Sequence, residues 1–140
     1  MAKNYELIEH TADIRIRVKG SDLIELFTNT SLAMFDIIAE VTNKSASCKI
    51  KEFHITQEAA NLEELFINWL NELLSLSAAK EVNFFEFKFD FLDEYNLRAR
   101  AFGCSNKAYK INVEIKAATY HELKLEKIDS GWLVEVIFDV

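Results

Sequence analysis

The sequence predicts an α+β fold in which two helices pack on one mixed, mostly antiparallel β-sheet. Two segments with apolar residues three and four positions apart predict the helices, and about seven alternating segments predict the strands. Most strand segments follow one another after residue 83, which favours antiparallel neighbours over repeated βαβ units. The 140 residues contain no proline and only three glycines, so we expect residues 1–140 to form a single domain without a linker.

Both predicted helices begin with a capping pattern that is followed by one apolar stripe. Asp22 precedes the first helix with Glu25 three residues later, and Asn61 precedes the second with Glu64 at the same spacing. The stripes comprise Leu23, Leu26, Phe27, Thr30, Met34, Ile37 and Ile38 in the first helix, and Leu62, Leu65, Phe66, Trp69, Leu70, Leu73 and Leu74 in the second. Stripes of this width predict helices that face the core and need no cofactor to explain them.

The strand segments differ in how many of their faces are apolar. Apolar residues alternate with basic ones over residues 14–19, which predicts a strand with one face in water. The other predicted strands lie near residues 48–56, 84–92, 97–102, 110–118, 121–127 and 132–140. The last of these is apolar on both faces, which is typical of a central or covered strand.

Four phenylalanines alternate with charged residues in the 84–92 segment. They are Phe85, Phe87, Phe89 and Phe91. An exposed aromatic row of this kind could stack nucleic-acid bases, but the charges between the rings include acids. We therefore interpret the row as a strand face that points into the core.

Charge and composition exclude several classes of protein. A formal charge of −7 argues against a free-standing nucleic-acid binder, because Lys and Arg supply most of the affinity for phosphate. The longest uncharged run has ten residues, too few to cross a bilayer, and no secretory signal opens the sequence. Cys48 and Cys104 are expected to be reduced thiols. These features predict a cytoplasmic protein with no membrane partner.

The residues best suited to chemistry lie near the two ends of the sequence. Phosphate-binding glycine loops, paired-cysteine zinc sites and serine elbows are all missing. Asp13 immediately precedes a predicted strand, and Asp139 and Val140 close another. If the two ends meet, two side-chain carboxylates and the carboxylate of Val140 converge, and such a cluster needs a hard dication or a protonated member. Two solvated aspartates are the simpler alternative.

Four segments spread along the chain combine into a recognisable pattern. They are Glu9-His10-Thr11-Ala12-Asp13-Ile14, Trp69-Leu70-Asn71-Glu72-Leu73-Leu74, Lys116-Ala117-Ala118-Thr119-Tyr120-His121, and Gly131-Trp132 through Phe138-Asp139-Val140. In this order they resemble the motifs of the archease family, the small protein cofactors of the RtcB-type tRNA-splicing RNA ligase. Arg15, Cys104 and Tyr109 depart from the family's pattern at other positions.

The resemblance implies an activator of an enzyme rather than an enzyme. Archeases help the ligase to become guanylylated on its active-site histidine and to turn over repeatedly in tRNA splicing and RNA repair. They also broaden the nucleoside triphosphates that the ligase accepts. The resemblance further implies a divalent cation, calcium with magnesium or manganese as alternatives, held by Asp13, Asp139 and Val140. The partner would be an RtcB-type RNA ligase, and RNA would be contacted only through it.

Other motif residues have roles that the sequence leaves open. The residues concerned are His10, Thr11, His121, Glu72 and Lys116. The first three could orient the acidic ligands or serve the packing of the motif, and the last two are candidate contacts with the partner.

Two other functions compete with the metal-bearing activator. One is a chaperone-like interaction module that acts on RNA- or DNA-processing proteins without an obligatory metal. The other is a metal-dependent hydrolase that uses Asp13 and His10, although the sequence lacks the usual catalytic signatures.

Overall fold

The structure is a computed structural model, and it describes residues 4–10, 13–41 and 48–140. The helices in this part of the chain are α1 (Leu23–Ile38) and α2 (Leu62–Lys80). The strands are β1 (Tyr5–His10), β2 (Asp13–Gly20), β3 (Ala39–Val41), β4 (Lys51–Glu58), β5 (Val82–Leu92), β6 (Asn96–Ser105), β7 (Tyr109–Ile111), β8 (Ala117–Ile128) and β9 (Gly131–Asp139). The predicted α+β class is confirmed.

The strands form three antiparallel sheets, and the helices contact the two larger ones. The strand order is β1-β2-β9-β8 in the four-stranded sheet and β4-β6-β5 in the three-stranded sheet, while β3 pairs with β7 alone. Helix α1 packs against β2 and β5, and helix α2 packs against β8, β5 and β4. The sheet expected from the sequence is thus divided, and the helices connect its parts through one shared core.

The helices begin as the sequence predicts, and a buried hydrogen-bond chain joins them. The side chains of Asp22 and Asn61 accept the backbone N–H groups of Glu25 and Glu64 and so cap α1 and α2. In the core, the Trp69 indole N–H donates to the Ser31 hydroxyl at 2.8 Å, and that hydroxyl donates to the Phe27 carbonyl at 2.7 Å. A fully buried tryptophan therefore keeps its polar atom satisfied.

Strand β9 lies at the centre of the four-stranded sheet, as its two apolar faces predict. It enters from a tight turn at Gly131, whose φ of 137° lies in a region that side chains rarely adopt. A Cβ atom there would also meet the Gly20 carbonyl oxygen of β2 at 2.2 Å. This glycine therefore lets the turn between β8 and β9 lie close against the end of β2.

The phenylalanine row of β5 only partly faces the core. Phe87 is buried and Phe89 packs against the core, but Phe85 and Phe91 are exposed. The pairing of β5 with β6 shifts at two positions, between residues 84 and 86 and between residues 89 and 91. Each irregularity reverses the alternation of side chains, so the prediction is wrong for Phe85 and Phe91.

The expectation of two reduced thiols is also wrong. Cys48 and Cys104 form a disulfide with their Cα atoms 5.8 Å apart, within the usual range. The pair is separated by 56 positions in the sequence, so no local spacing signals it. The bridge ties the segment before β4 to the end of β6.

The strand predicted over residues 110–118 is interrupted. β7 ends at Ile111, residues 112–116 form no strand, and β8 begins at Ala117. In the interrupted segment, the backbone N–H groups of Asn112 and Val113 both donate to the Ile38 carbonyl at the end of α1. The chain leaves one sheet here and joins another, which an alternating sequence pattern does not reveal.

Candidate metal centre

The two aspartates singled out by the sequence are direct cross-strand partners. In the antiparallel pairing of β2 with β9, Asp13 lies opposite Asp139 and Ile14 lies opposite Phe138. Directly opposed residues project from the same face of a sheet, with Cα atoms about 4.5–5.5 Å apart. The register therefore brings together two carboxylates that are 126 positions apart in the sequence.

This pair stands on the face of the sheet that points away from the helices. Ile14 and Phe138, the next residues along the two strands, are buried, whereas Asp13 and Asp139 are exposed. Alternation then returns the side chain of Val140 to the core, against which it packs. The last residue is thus held at the strand end, next to the aspartate pair.

Strand β8 supports the other side of Asp139. Ala117 of β8 is the cross-strand partner of Asp139, and the Lys116 N–H donates to the Asp139 carbonyl at 2.8 Å. The Asn71 side chain of α2 then clamps the next residue: its amide donates to the Ala118 carbonyl at 3.1 Å and accepts the Ala118 N–H at 2.8 Å. Two backbone groups of β8 are thereby fixed to a helix.

Asn71 is the residue that the sequence interpretation missed. It belongs to the helical motif Trp69-Leu70-Asn71-Glu72, in which the sequence instead singles out Glu72 as a candidate contact with the partner. A polar residue beside the apolar stripe of a helix is a signal for such a contact, although its partner depends on the tertiary fold. Glu72, next to Asn71 of the clamp, is half-buried. Lys116, whose N–H donates to the Asp139 carbonyl, has an exposed side chain.

A wide bulge follows in β8. The register shifts between Thr119 and Lys124, so residues 120–123 oppose Val136 alone. Glu122 adopts a left-handed backbone conformation within it, with a φ of 50°, and pairs with Arg15 of β2. His121 lies on the bulge with 72% of its side chain exposed, 3.8 Å from the Glu122 carboxylate.

The bulge also carries an exposed tyrosine. Partial desolvation is the main cause that raises the pKa of Tyr120, and the negative charge of the Glu64 carboxylate raises it further. Because Glu64 belongs to the first turn of α2, the bulge of β8 lies near the start of that helix at Tyr120.

The opening motif is described only in part. His10 ends β1 and pairs with Ile14, one residue from Asp13, but its side chain is outside the described part of the structure. Thr11 lies outside the described residues altogether. The roles predicted for these two residues stay predictions.

The donor chemistry fits a hard divalent cation. Two carboxylates and a chain-terminal carboxylate would supply only oxygen ligands, which calcium, magnesium and manganese prefer, whereas zinc favours nitrogen and sulfur. Within residues 4–10, 13–41 and 48–140, no three His, Cys, Asp or Glu side chains form a group that could hold a metal ion. The two aspartates therefore need the Val140 carboxylate, or ligands from a partner, to complete a site.

A cavity adjoins this strand end without containing the aspartates. It has a volume of about 710 Å³ and lies between α2 and the segment before β8, with Asn71, Lys116 and Ala117 in its wall. The aspartate pair is instead open to solvent.

Comparison with known proteins identifies the family. The model of the Archease protein family (MTH1598/TM1083) matches residues 5–140. The chain belongs to the archease family. It is 38% identical to the archease of Methanosarcina acetivorans, with 99% of this chain and 97% of that protein covered, and 36% identical to that of Pyrococcus abyssi, with 99% of each covered.

Solved structures of archease-family proteins agree with this fold. The solution structure of protein 1598 of Methanobacterium thermoautotrophicum matches with a TM-score of 0.68 and 28% identity, over 99% of this chain and all of that one. The crystal structure of a Thermotoga maritima archease, described as a possible chaperone, matches with a TM-score of 0.65 over 96% of each chain. At 23% identity the second match supports the fold alone. Neither described helix is long and apolar enough to span a membrane.

Proposed function

We propose that this protein binds one divalent cation through Asp13, Asp139 and the Val140 carboxylate, and that it activates an RtcB-type RNA ligase without being an enzyme itself. The observation that carries the proposal is the register of β2 on β9, which sets the two aspartates opposite each other on an exposed face. Two such carboxylates repel each other in the folded state unless a cation lies between them. Calcium is the expected ion, with magnesium and manganese as alternatives.

Guanylylation of a histidine is a reaction that such a group can assist. The histidine nitrogen forms a bond to the α-phosphorus of GTP while the bond to the pyrophosphate leaving group breaks, and negative charge develops on the phosphate oxygens. A bound dication would supply neutralisation of that charge. The chain's own contribution is positional: β2 and β9 hold the aspartates, while Asn71 and Lys116 fix the adjacent end of β8.

The charge of the protein supports association with a nucleic-acid enzyme. A ligase that holds RNA carries Lys and Arg for the phosphates, and this chain has a formal charge of −7. Opposite charges speed the encounter of the two proteins at low salt. We therefore propose that the ligase is the partner of this protein in tRNA splicing and RNA repair, and that RNA is contacted only through the ligase. We also propose the cytoplasm as the compartment.

Guanylylation of the purified cognate ligase tests the proposal. Asp13→Asn and Asp139→Asn keep the shape of each side chain and remove one charge. Altering a residue that only hydrogen-bonds a metal ligand already lowers activity by about tenfold or more, so we expect the loss of a ligand itself to reduce stimulation at least as much. Asp129→Asn is the matched control, because this exposed aspartate lies at the opposite end of β9. Folded Asp13 and Asp139 variants that stimulate like the control would contradict the proposal.

An extension of the chain beyond Val140 tests the third ligand. Adding Gly-Ser moves the terminal carboxylate away while both aspartates stay, so calcium binding in a calorimetric titration should weaken together with ligase stimulation. Unchanged titration by the extended protein would exclude the Val140 carboxylate as a ligand.

A second candidate follows from the donor set, because within residues 4–10, 13–41 and 48–140 no third His, Cys, Asp or Glu side chain joins the two aspartates. The Thermotoga relative is itself described as a possible chaperone. In that case the protein would aid the ligase as a folding or interaction module without an obligatory metal. Full stimulation of the ligase by a folded Asp13→Asn/Asp139→Asn protein, which lacks both side-chain carboxylates, would favour this candidate.

A further inference from the structure

An apolar groove lies between α1, β3 and β5, and the metal site does not use it. Its volume is about 430 Å³, within the range of sites that receive an apolar group. Phe35 and Phe84 form a buried floor, with their rings edge to face and centroids 5.4 Å apart. A floor of packed aromatic rings is preformed rather than created when a ligand arrives.

Three large apolar side chains stand half-exposed around this groove. Leu32 of α1 is 37% exposed, Val41 of β3 is 50% exposed and Phe85 of β5 is 38% exposed. A single exposed apolar side chain is ordinary, but three that converge from separate elements on one concave surface mark an interaction site. Phe85 is exposed here because the β5 irregularity turns it away from the core.

The charge on the rim restricts what can bind. Among the described residues that line the groove, the charged ones are Asp36 and Glu40, and both are acidic. Asp36 accepts a hydrogen bond from Tyr5 at 2.6 Å. The Glu40 carboxylate lies as far as 4.0 Å from the Lys110 ammonium on the exposed surface, so this ion pair is weak. The acidic rim disfavours phosphates and therefore both nucleic acids and anionic lipids.

We infer that this groove receives a segment of the partner protein in which an apolar anchor is flanked by Lys or Arg. The floor would desolvate the anchor, and the acidic rim would pair with the flanking cations. The inference rests on the proposed function for the identity of that partner, the RtcB-type ligase. It places docking at the groove and metal delivery at the aspartate pair, on separate sets of residues.

Binding of purified RtcB-type ligase to immobilised variants tests this separation. We expect Leu32→Ser/Val41→Ser to weaken binding by about tenfold or more, because it removes two anchor contacts without opening the core. The matched control is Ile50→Ser/Tyr95→Ser, which removes two side chains that are still more exposed and lie outside the groove.

A pair of charge reversals tests the role of the rim. Glu40→Lys should weaken binding by several-fold, whereas Glu94→Lys, an exposed position in the turn between β5 and β6, changes the net charge equally and should have little effect. Equal effects of the two reversals would mean that only overall charge matters, and that result would overturn the inference.

The remaining outcomes separate the groove from the proposed function. If the groove variants bind and activate the ligase as well as their controls do, the inference about the groove is overturned and the proposed function stands. Asp13→Asn protein that binds with full affinity but fails to promote guanylylation supports both proposals. Wild-type protein that neither binds nor activates the ligase overturns both. A concentration-dependent dimer that Leu32→Ser/Val41→Ser abolishes would assign the groove to a second copy of this chain, contrary to the inference.

Discussion

At the scale of single residues, the two arginines that follow Asp13 along β2 are paired with acidic side chains other than the aspartate pair. Arg15 follows Asp13 on the same face of β2, and it pairs with Glu122 of the β8 bulge. Arg17 bonds Glu135 at 2.9 Å and Glu6 at 3.0 Å, and these hydrogen bonds raise the pKa of its guanidinium. Glu122 adopts a left-handed backbone conformation within the bulge, and in this conformation its carboxylate contacts Arg15.

Replacing Glu122 should therefore weaken cation binding from a distance. In Glu122→Gln the Arg15 guanidinium loses its partner and is free to turn towards Asp13, where it competes with a dication. We expect calcium affinity, measured by calorimetric titration, to fall by about two- to fivefold, a loss in the range of an exposed ion pair.

Glu126→Gln is the control for that measurement. It removes an equal charge farther along β8, where Glu126 faces Lys124 at 3.6 Å. A loss of calcium affinity that is the same in both variants would show that only net charge matters and that Arg15 is not held away from Asp13.

At the scale of elements, the clamp between Asn71 and β8 positions the strand that supports Asp139. Both groups of the Asn71 amide are used, and the two backbone groups of Ala118 that they satisfy lie on a buried residue. These two hydrogen bonds join α2 to β8, the edge strand of the four-stranded sheet.

Asn71→Ala leaves that buried N–H and that carbonyl without their partners. Each unsatisfied buried group costs about 1–3 kcal/mol, so we expect the free energy of unfolding in urea to fall by about 2–6 kcal/mol. Stimulation of the ligase by the folded fraction should also fall, since the end of β8 loses its anchor. A urea midpoint within error of wild type would contradict this account of the clamp.

The same scale shows what the sequence could and could not predict. The helices and their capping residues are local features, so Asp22 and Asn61 mark the helix starts correctly. The exposure of Phe91 and the bulge at Glu122 depend on the register between strands, which an alternating pattern does not specify. The pairing of Asp13 with Asp139 is equally nonlocal, and only the family resemblance favoured it over two solvated aspartates.

At the scale of the whole molecule, the disulfide closes a loop of more than 50 residues across the fold. Cys48 precedes β4, and Cys104 lies near the end of β6. A bridge over such a separation restricts the unfolded chain strongly and can add about 2–4 kcal/mol to stability. Disulfides are rare in most cytosolic proteins and common in the intracellular proteins of hyperthermophiles, so the bridge removes reduced cysteines as an argument for a cytoplasmic location.

Reduction should therefore lower the stability of the wild-type protein but not that of a bridge-free variant. We expect dithiothreitol to reduce the free energy of unfolding by about 2–4 kcal/mol, and to leave Cys48→Ala unchanged because it has no bridge to lose. Identical urea transitions of the wild type with and without the reductant would contradict a structural role for the bridge.

The central claim is that Asp13, Asp139 and the Val140 carboxylate together hold one dication. Diffraction from crystals soaked in manganese tests it most directly, because anomalous scattering locates the ion independently of any assay. The account predicts one strong peak about 2.0–2.6 Å from carboxylate oxygens of Asp13 and Asp139 and from the Val140 carboxylate. Crystals that show no anomalous peak at this strand end, or a peak coordinated only by other residues, would contradict it.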